Sequence, residues 1–111
     1  MDVALNREEN AVILSLKGRL DTVTSGNFEK ELLNLVQAGE TRLVLDFQEL
    51  DYISSAGLRV LLKAAKELKG RNGRMAFCSV KDYIREIFEL SGFVTFFSIH
   101  ASREDSLKAL S

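Results

Sequence analysis

Two neighbouring hydroxyls hold the most chemical promise in this chain. Ser54 and Ser55 lie in the stretch Leu50-Asp51-Tyr52-Ile53-Ser54-Ser55-Ala56-Gly57-Leu58-Arg59-Val60-Leu61-Leu62. Apolar residues recur just beyond them at Leu58, Leu61, Leu62, Ala65 and Leu68, the spacing of one helical face. The serines therefore fall at or just outside a first helical turn. Backbone N–H groups lack partners there, and the positive end of the helix dipole favours an anion. Two uses follow for either hydroxyl. It can cap the helix by accepting one of those N–H groups, the commonest role of serine at such a place. It can also accept a phosphoryl group, whose charge a helix start tolerates well.

Catalysis finds little to work with elsewhere. His100 is the only histidine and no serine sits in a Gly-x-Ser-x-Gly elbow, so a hydrolase triad lacks its parts. Metal-binding Cys/His spacing is absent, as is a Gly-x-x-x-x-Gly-Lys loop for nucleotide phosphates. The chain is read as no enzyme, without metal or cofactor, and unable to phosphorylate itself from ATP. Asp46 ends the apolar run Leu43-Val44-Leu45, the place where a receiver domain carries its phospho-aspartate. A receiver-like alternative also needs an acidic pair after the first strand and a lysine after the last. Asp21 stands alone and His100 occupies the lysine's region, so Asp46 is read as capping or positioning the next loop.

The elements that must position these residues follow from periodicity and turn chemistry. A first strand is weakly marked at Val3 to Leu5. The β-branched run Ala11-Val12-Ile13-Leu14-Ser15-Leu16, ending at Gly18, completes a hairpin whose turn is Arg7 to Asn10. A helix over Ser25 to Ala38 presents Phe28, Leu32, Leu35 and Val36 on one face, with Gly39 as its stop. A third strand spans Leu43 to Phe47, and the helix after the serines reaches Lys69. Met75-Ala76-Phe77-Cys78 is a fourth strand. A third helix with Val80, Ile84, Ile87 and Phe88 stops at Gly92, and Phe96-Phe97-Ser98-Ile99 is a short fifth strand. Ser102 and Asp105 open a last helix containing Leu107 and Leu110. The order β-β-α-β-α-β-α-β-α implies an α/β fold with a mixed central sheet, a leading hairpin and four helices. Functional loops of such sheets lie beyond the carboxyl ends of the strands. The Asp46 to Ser55 connection is one, and Gly18 to Thr24 is another if the second and third strands are parallel.

Composition narrows the partners. With 15 basic and 16 acidic residues the net charge is −1, so no global field points to nucleic acid or an anionic membrane. No apolar stretch is long enough to span a bilayer, and the N-terminus lacks a signal-peptide pattern. Cys78 cannot form an internal disulfide, and its apolar setting suggests a buried thiol. A cytoplasmic chain with a single domain over 1–111 is expected.

The serine segment resembles the phosphorylation loop of STAS domains, specifically the anti-sigma factor antagonists (anti-anti-sigma factors) of bacteria. Their pattern is an aspartate, a phosphorylatable serine, a serine or threonine, then glycine and leucine. Anchoring on Gly57-Leu58 puts Ser55 at the phosphoacceptor, Ser54 in place of the aspartate and Ala56 at the second hydroxyl position. Gly18-Arg19-Leu20-Asp21 resembles the family's Gly-x-Leu-Asp, and Phe88-Glu89-Leu90-Ser91-Gly92-Phe93 its third-helix ending. The resemblance implies a STAS-like fold and a switch that binds an anti-sigma factor while unphosphorylated, releasing sigma factor. That partner would also be the serine kinase acting on Ser55, with Ser54 the fallback, and a phosphatase would reset it. ATP and Mg²⁺ would belong to the kinase. The implied docking surface comprises Asp21, Thr22, Ser54, Ala56, Gly57, Arg59 and Lys63, and the free protein would be a monomer. For Asp21 the residues alone also allow a turn role, and for Arg59 and Lys63 a solvated helix face, with Lys63 paired to Glu67. A constitutive STAS scaffold or transport-complex subunit, never phosphorylated, is the alternative within the fold.

Overall fold

A tight hairpin starts the chain in the computed structural model, which describes residues 1–92 and 97–110. β1 (Asp2–Glu8) and β2 (Ala11–Leu20) are antiparallel, joined by Glu9 and Asn10 alone, both at positive φ. The remaining described elements are α1 (Ser25–Gln37), β3 (Arg42–Ile53), α2 (Ser55–Gly70), β4 (Arg74–Cys78), α3 (Asp82–Ser91), β5 (Ser98–His100) and α4 (Arg103–Leu110). The sheet order is β1-β2-β3-β4-β5, and every pairing after the hairpin is parallel. Strand five begins later than the periodicity suggests, and Phe96 lies outside the described residues.

Side-chain alternation divides the sheet between two cores. Val12, Leu14, Leu16, Leu43, Leu45, Phe47, Met75 and Phe77 face α1, α2 and α3, which contribute Phe28, Leu32, Val36, Leu61, Leu68, Ile84 and Phe88. Ala11, Ile13, Val44, Ala76 and Cys78 point the other way, under Leu107 and Leu110 of α4. Gly39, at φ 100°, closes α1 with a paired turn: its N–H reaches Val36 O, and the N–H of Glu40 reaches Leu35 O. Ile87 does not join the core; it is exposed on the outer side of α3.

β3 is the main departure from the sequence reading. It runs past Phe47 to Ile53, so most of the supposed loop before the serines is strand. β2 likewise continues through Gly18, and Lys17, Gly18, Arg19 and Leu20 pair with Glu49, Leu50, Tyr52 and Ile53. The ladder slips between Ser15 and Lys17 and again between Gly18 and Arg19, where Gly18 takes φ 104°. These bulges break the two-residue alternation by which a strand is recognised. Only Leu50 and Ile53 are buried in the extension. β4 stops at Cys78, opposite Asp46. Beyond it Lys81 takes over, its Nζ donating to the carbonyls of Gln48 and Leu50 at 2.8 Å each.

Candidate functional site

Extension of β2 and β3 carries two chain segments to one end of the sheet. Leu20 pairs with Ile53, and the N–H of Ser54 donates to Leu20 O at 2.9 Å. The Asp21 turn after β2 and the serines after β3 are thereby neighbours. α2 leaves β3 with Ser54 alone between them.

The two serines have different local roles. Ser54 is the cap of α2: its backbone is extended, and its Oγ accepts the N–H of Gly57 at 3.2 Å. Ser55 is the first helical residue and is exposed, and its hydroxyl has no partner among the described residues. The N–H groups of Ser55 and Ala56 also point out of the helix start without a protein acceptor among those residues. No acidic residue occupies the first turn of α2. An anion on Ser55 would meet free N–H groups and the dipole, with no carboxylate from the same turn.

Gly57 explains why the helix can sit so close. A Cβ built there would lie 2.7 Å from Leu20 Cγ, 2.8 Å from Leu20 O and 3.2 Å from Ile53 Cγ1. Gly57 is buried, and its share in the site is to seat the helix on β2. Ala56 is half-buried, while Arg59 and Lys63 are exposed along α2. Lys63 pairs with Glu29 of α1 at 3.1 Å, not with Glu67, which instead meets Arg71 at 3.9 Å. Packing of α1 beside α2 supplies a carboxylate nearer than the next helical turn, and the Lys-before-Glu order is the weaker one within a helix.

Asp21 is half-buried and its Oδ1 accepts the N–H groups of Val23 at 3.0 Å and Thr24 at 3.1 Å. Thr24 Oγ1 in turn donates to Arg19 O and receives the N–H of Asp21, both at 2.9 Å. The Thr24 N–H foremost holds the Asp21 carboxyl below its usual range, aided by the Val23 N–H, the Thr24 hydroxyl and Arg19, against some loss of hydration. The carboxylate is thus charged and rigidly presented, with exposed Thr22 beside it. Sequence reasoning overlooked three neighbours. Arg19 lies over the Tyr52 ring at 4.2 Å and 3.6 Å from Asp21, and Val23 is 87 % exposed. An apolar residue between two threonines in a turn was the available signal for Val23.

Asp46 belongs to another part of the molecule. It is 8 % exposed, on the α4 side of the sheet, where Arg103 Nη2 reaches Oδ2 at 2.8 Å and also Ser15 Oγ at 3.1 Å. Its Oδ1 accepts the Gln48 N–H at 3.0 Å. Both oxygens are engaged and α4 covers them, so the receiver-like alternative does not hold. Cys78 is fully buried nearby; burial foremost, with the Asp46 charge, pushes its thiol up to about 11.

Comparison with known proteins identifies the family and the fold. The family model of the STAS domain matches residues 2–106. The chain belongs to the STAS domain family. BtrV of Bordetella bronchiseptica, provisionally assigned as an anti-sigma factor antagonist, is 40 % identical over 109 residues, 98 % of this chain and 94 % of that protein. A solved structure from Thermotoga maritima, with the same provisional assignment, superposes with TM-score 0.92 at 16 % identity, covering 97 % of this chain and 93 % of the other. The phosphorylated form of SpoIIAA, a Bacillus cell-fate determinant, gives TM-score 0.78 at 20 % identity over 99 % of this chain and 100 % of that one. At such identities the two structures speak for the STAS fold alone. In this STAS domain the Gly57-Leu58 anchor falls in the first turn of α2, with Gly57 three residues after the capping Ser54.

Proposed function

We propose that this protein is an anti-sigma factor antagonist switched by phosphorylation of Ser55. Unphosphorylated, it binds an anti-sigma factor through the Asp21 turn and the exposed entry to α2, and sigma factor is released. The anti-sigma factor is also the serine kinase, supplying ATP and Mg²⁺, and a phosphatase restores the free hydroxyl. The protein itself acts in the cytoplasm as a regulator, not as an enzyme. One observation supports this reading above others: Ser54 is occupied as the helix cap, whereas Ser55 is exposed and unbonded one residue later.

The physical consequence of modification differs between the free and bound protein. At an exposed helix start a phosphate gains ~0.3–1 kcal/mol from the dipole, so the fold is retained. Inside a docked surface the same dianion loses water beside the charged Asp21. An uncompensated charge there costs several kcal/mol, and each ~1.4 kcal/mol is tenfold in affinity. Release by a factor of roughly 10² or more follows. The test is titration of the partner against wild type, Ser55→Ala, Ser55→Asp and phosphorylated protein, with thermal unfolding of each and peptide mapping of the phosphate. Ser55→Ala binds, Ser55→Asp and the phosphoprotein do not, and all stay folded. Phosphate on Ser54 alone, or unchanged affinity after phosphorylation of Ser55, would overturn the switch.

A further inference from the structure

β1 is an edge strand with no described element against its outer side. The turn after it determines which backbone groups face outward. Glu9 and Asn10 have φ 49° and 69°, as in the two-residue turn that matches strand twist. Glu8 and Ala11 then form a hydrogen-bonded pair, and bonded and non-bonded pairs alternate along the ladder. With Arg7 opposite Val12, Asn6 opposite Ile13, Leu5 opposite Leu14 and Val3 opposite Leu16, the N–H and C=O of Asp2, Ala4, Asn6 and Glu8 turn inward to β2. Those of Val3, Leu5 and Arg7 turn outward. The strand contains neither proline nor lysine, the usual guards of an open edge, and its arginine is tied to Glu40. Leu5 is 59 % exposed and, with Val3 and Leu35, forms the apolar part of a shallow depression beside α1 that Glu31 and Asn34 complete.

We propose that two copies of this chain pair antiparallel through β1, joining their sheets across a two-fold axis. Such an axis, perpendicular to the sheet, keeps each face on its own side, so odd-numbered residues oppose odd and even oppose even. Charge then selects the register. Centred on Leu5, the pairing would set Asp2 against Glu8, two like charges. Centred on Asn6, it would set Leu5 against Arg7. Centred on Ala4, it sets Val3 against Leu5 of the second copy, twice, and Asp2 against Asn6. That register forms apolar pairs over the depression and hydrogen-bonds the outward groups of Val3 and Leu5. A net charge of −1 per chain adds little repulsion between copies. The serines follow β3, two strands in from this edge, and stay uncovered. The free protein, expected from its sequence to be a monomer, becomes a reversible dimer.

Light scattering over a concentration series, with amide exchange on the same samples, tests this. Mass should rise from 12.4 kDa toward twice that value. The amides of Val3 and Leu5 should gain at least ~10-fold protection with concentration, while those of Ala4 and Asn6, already paired to β2, should not. Leu5→Pro removes an outward N–H and leaves the inner ladder intact, so it should stay folded and monomeric. Leu5→Lys does the same by charge and serves if the proline variant unfolds. A mass of 12.4 kDa at all concentrations to about 1 mM overturns the proposal. So does a dimer that survives both variants, or a monomer that instead captures an extended foreign peptide on β1.

Discussion

Replacing Gly57 by alanine should loosen the site from beneath. The new methyl carbon would stand 2.7 Å from Leu20 Cγ and 2.8 Å from Leu20 O, whereas carbon atoms in contact sit ~3.5–4.0 Å apart. A displacement of roughly 0.8 Å or more is required, and only part can come from the Leu20 side chain because the second clash is with backbone. Overpacking of this kind costs ~1–3 kcal/mol. Alanine regains up to ~1 kcal/mol of helix propensity, which leaves a net loss of up to ~2 kcal/mol. In a domain of this size each ~1 kcal/mol lowers the melting temperature by about 4–8 °C. Thermal unfolding followed by circular dichroism measures it, with Gly26→Ala as the control. Gly26 lies in α1 with nothing within 4 Å of the position a methyl would take, so that change should stabilise slightly. The shift also pulls Ser54 from Leu20 O, so partner affinity should fall with stability. A Gly57→Ala protein as stable as wild type, or two alanine variants moving in the same direction, would refute the reasoning.

Further expectations concern the serines, the thiol and the α4 latch. Ser54→Ala removes the cap of α2 and should cost ~1 kcal/mol in urea unfolding, whereas Ser55→Ala should stay within ~0.5 kcal/mol of wild type. Native Cys78 should resist a thiol reagent at pH 8 and react once the chain is unfolded, because burial holds the thiol protonated up to about 11. That raised value also weakens the fold in alkali: stability should fall as pH rises from about 9, where the unfolded thiol ionises, to about 11, and be unaffected by this group below that window. Arg103→Ala leaves Asp46 facing the protein without its cation; with the arginine itself partly exposed, the loss measured by unfolding should be ~1–2 kcal/mol. The depressed Asp21 carboxyl contributes stability above the ordinary aspartate range and loses it as pH falls through its folded value, so Asp21→Asn should flatten that acid limb of the unfolding profile.

Local chemistry was legible in the residues themselves. The 3.6-residue repeat after Leu58 defines α2, Gly39 ends α1, and the apolar runs of β2 to β4 mark an inner sheet, because helices and buried strands impose their period on whatever sequence forms them. The pairing of Ser54-Ser55 with Gly57 likewise marks a helix start before anything is known of the packing. Other features depend on segments far apart in the chain. The polar stretch Gln48 to Tyr52 becomes strand because β2 runs on beside it and Lys81, at the head of α3, bonds its free carbonyls. The division of labour between the serines follows from Leu20, whose carbonyl anchors Ser54 and whose side chain admits only a glycine at 57. Asp46 takes the Gln48 N–H that its capping role predicts, but its ion pair with Arg103, 57 residues later, has no local signal. Period and turn chemistry are local and so can be read along the chain; register, bulges and ion pairs are settled by which distant backbone lies alongside, and that is a property of the packed structure alone.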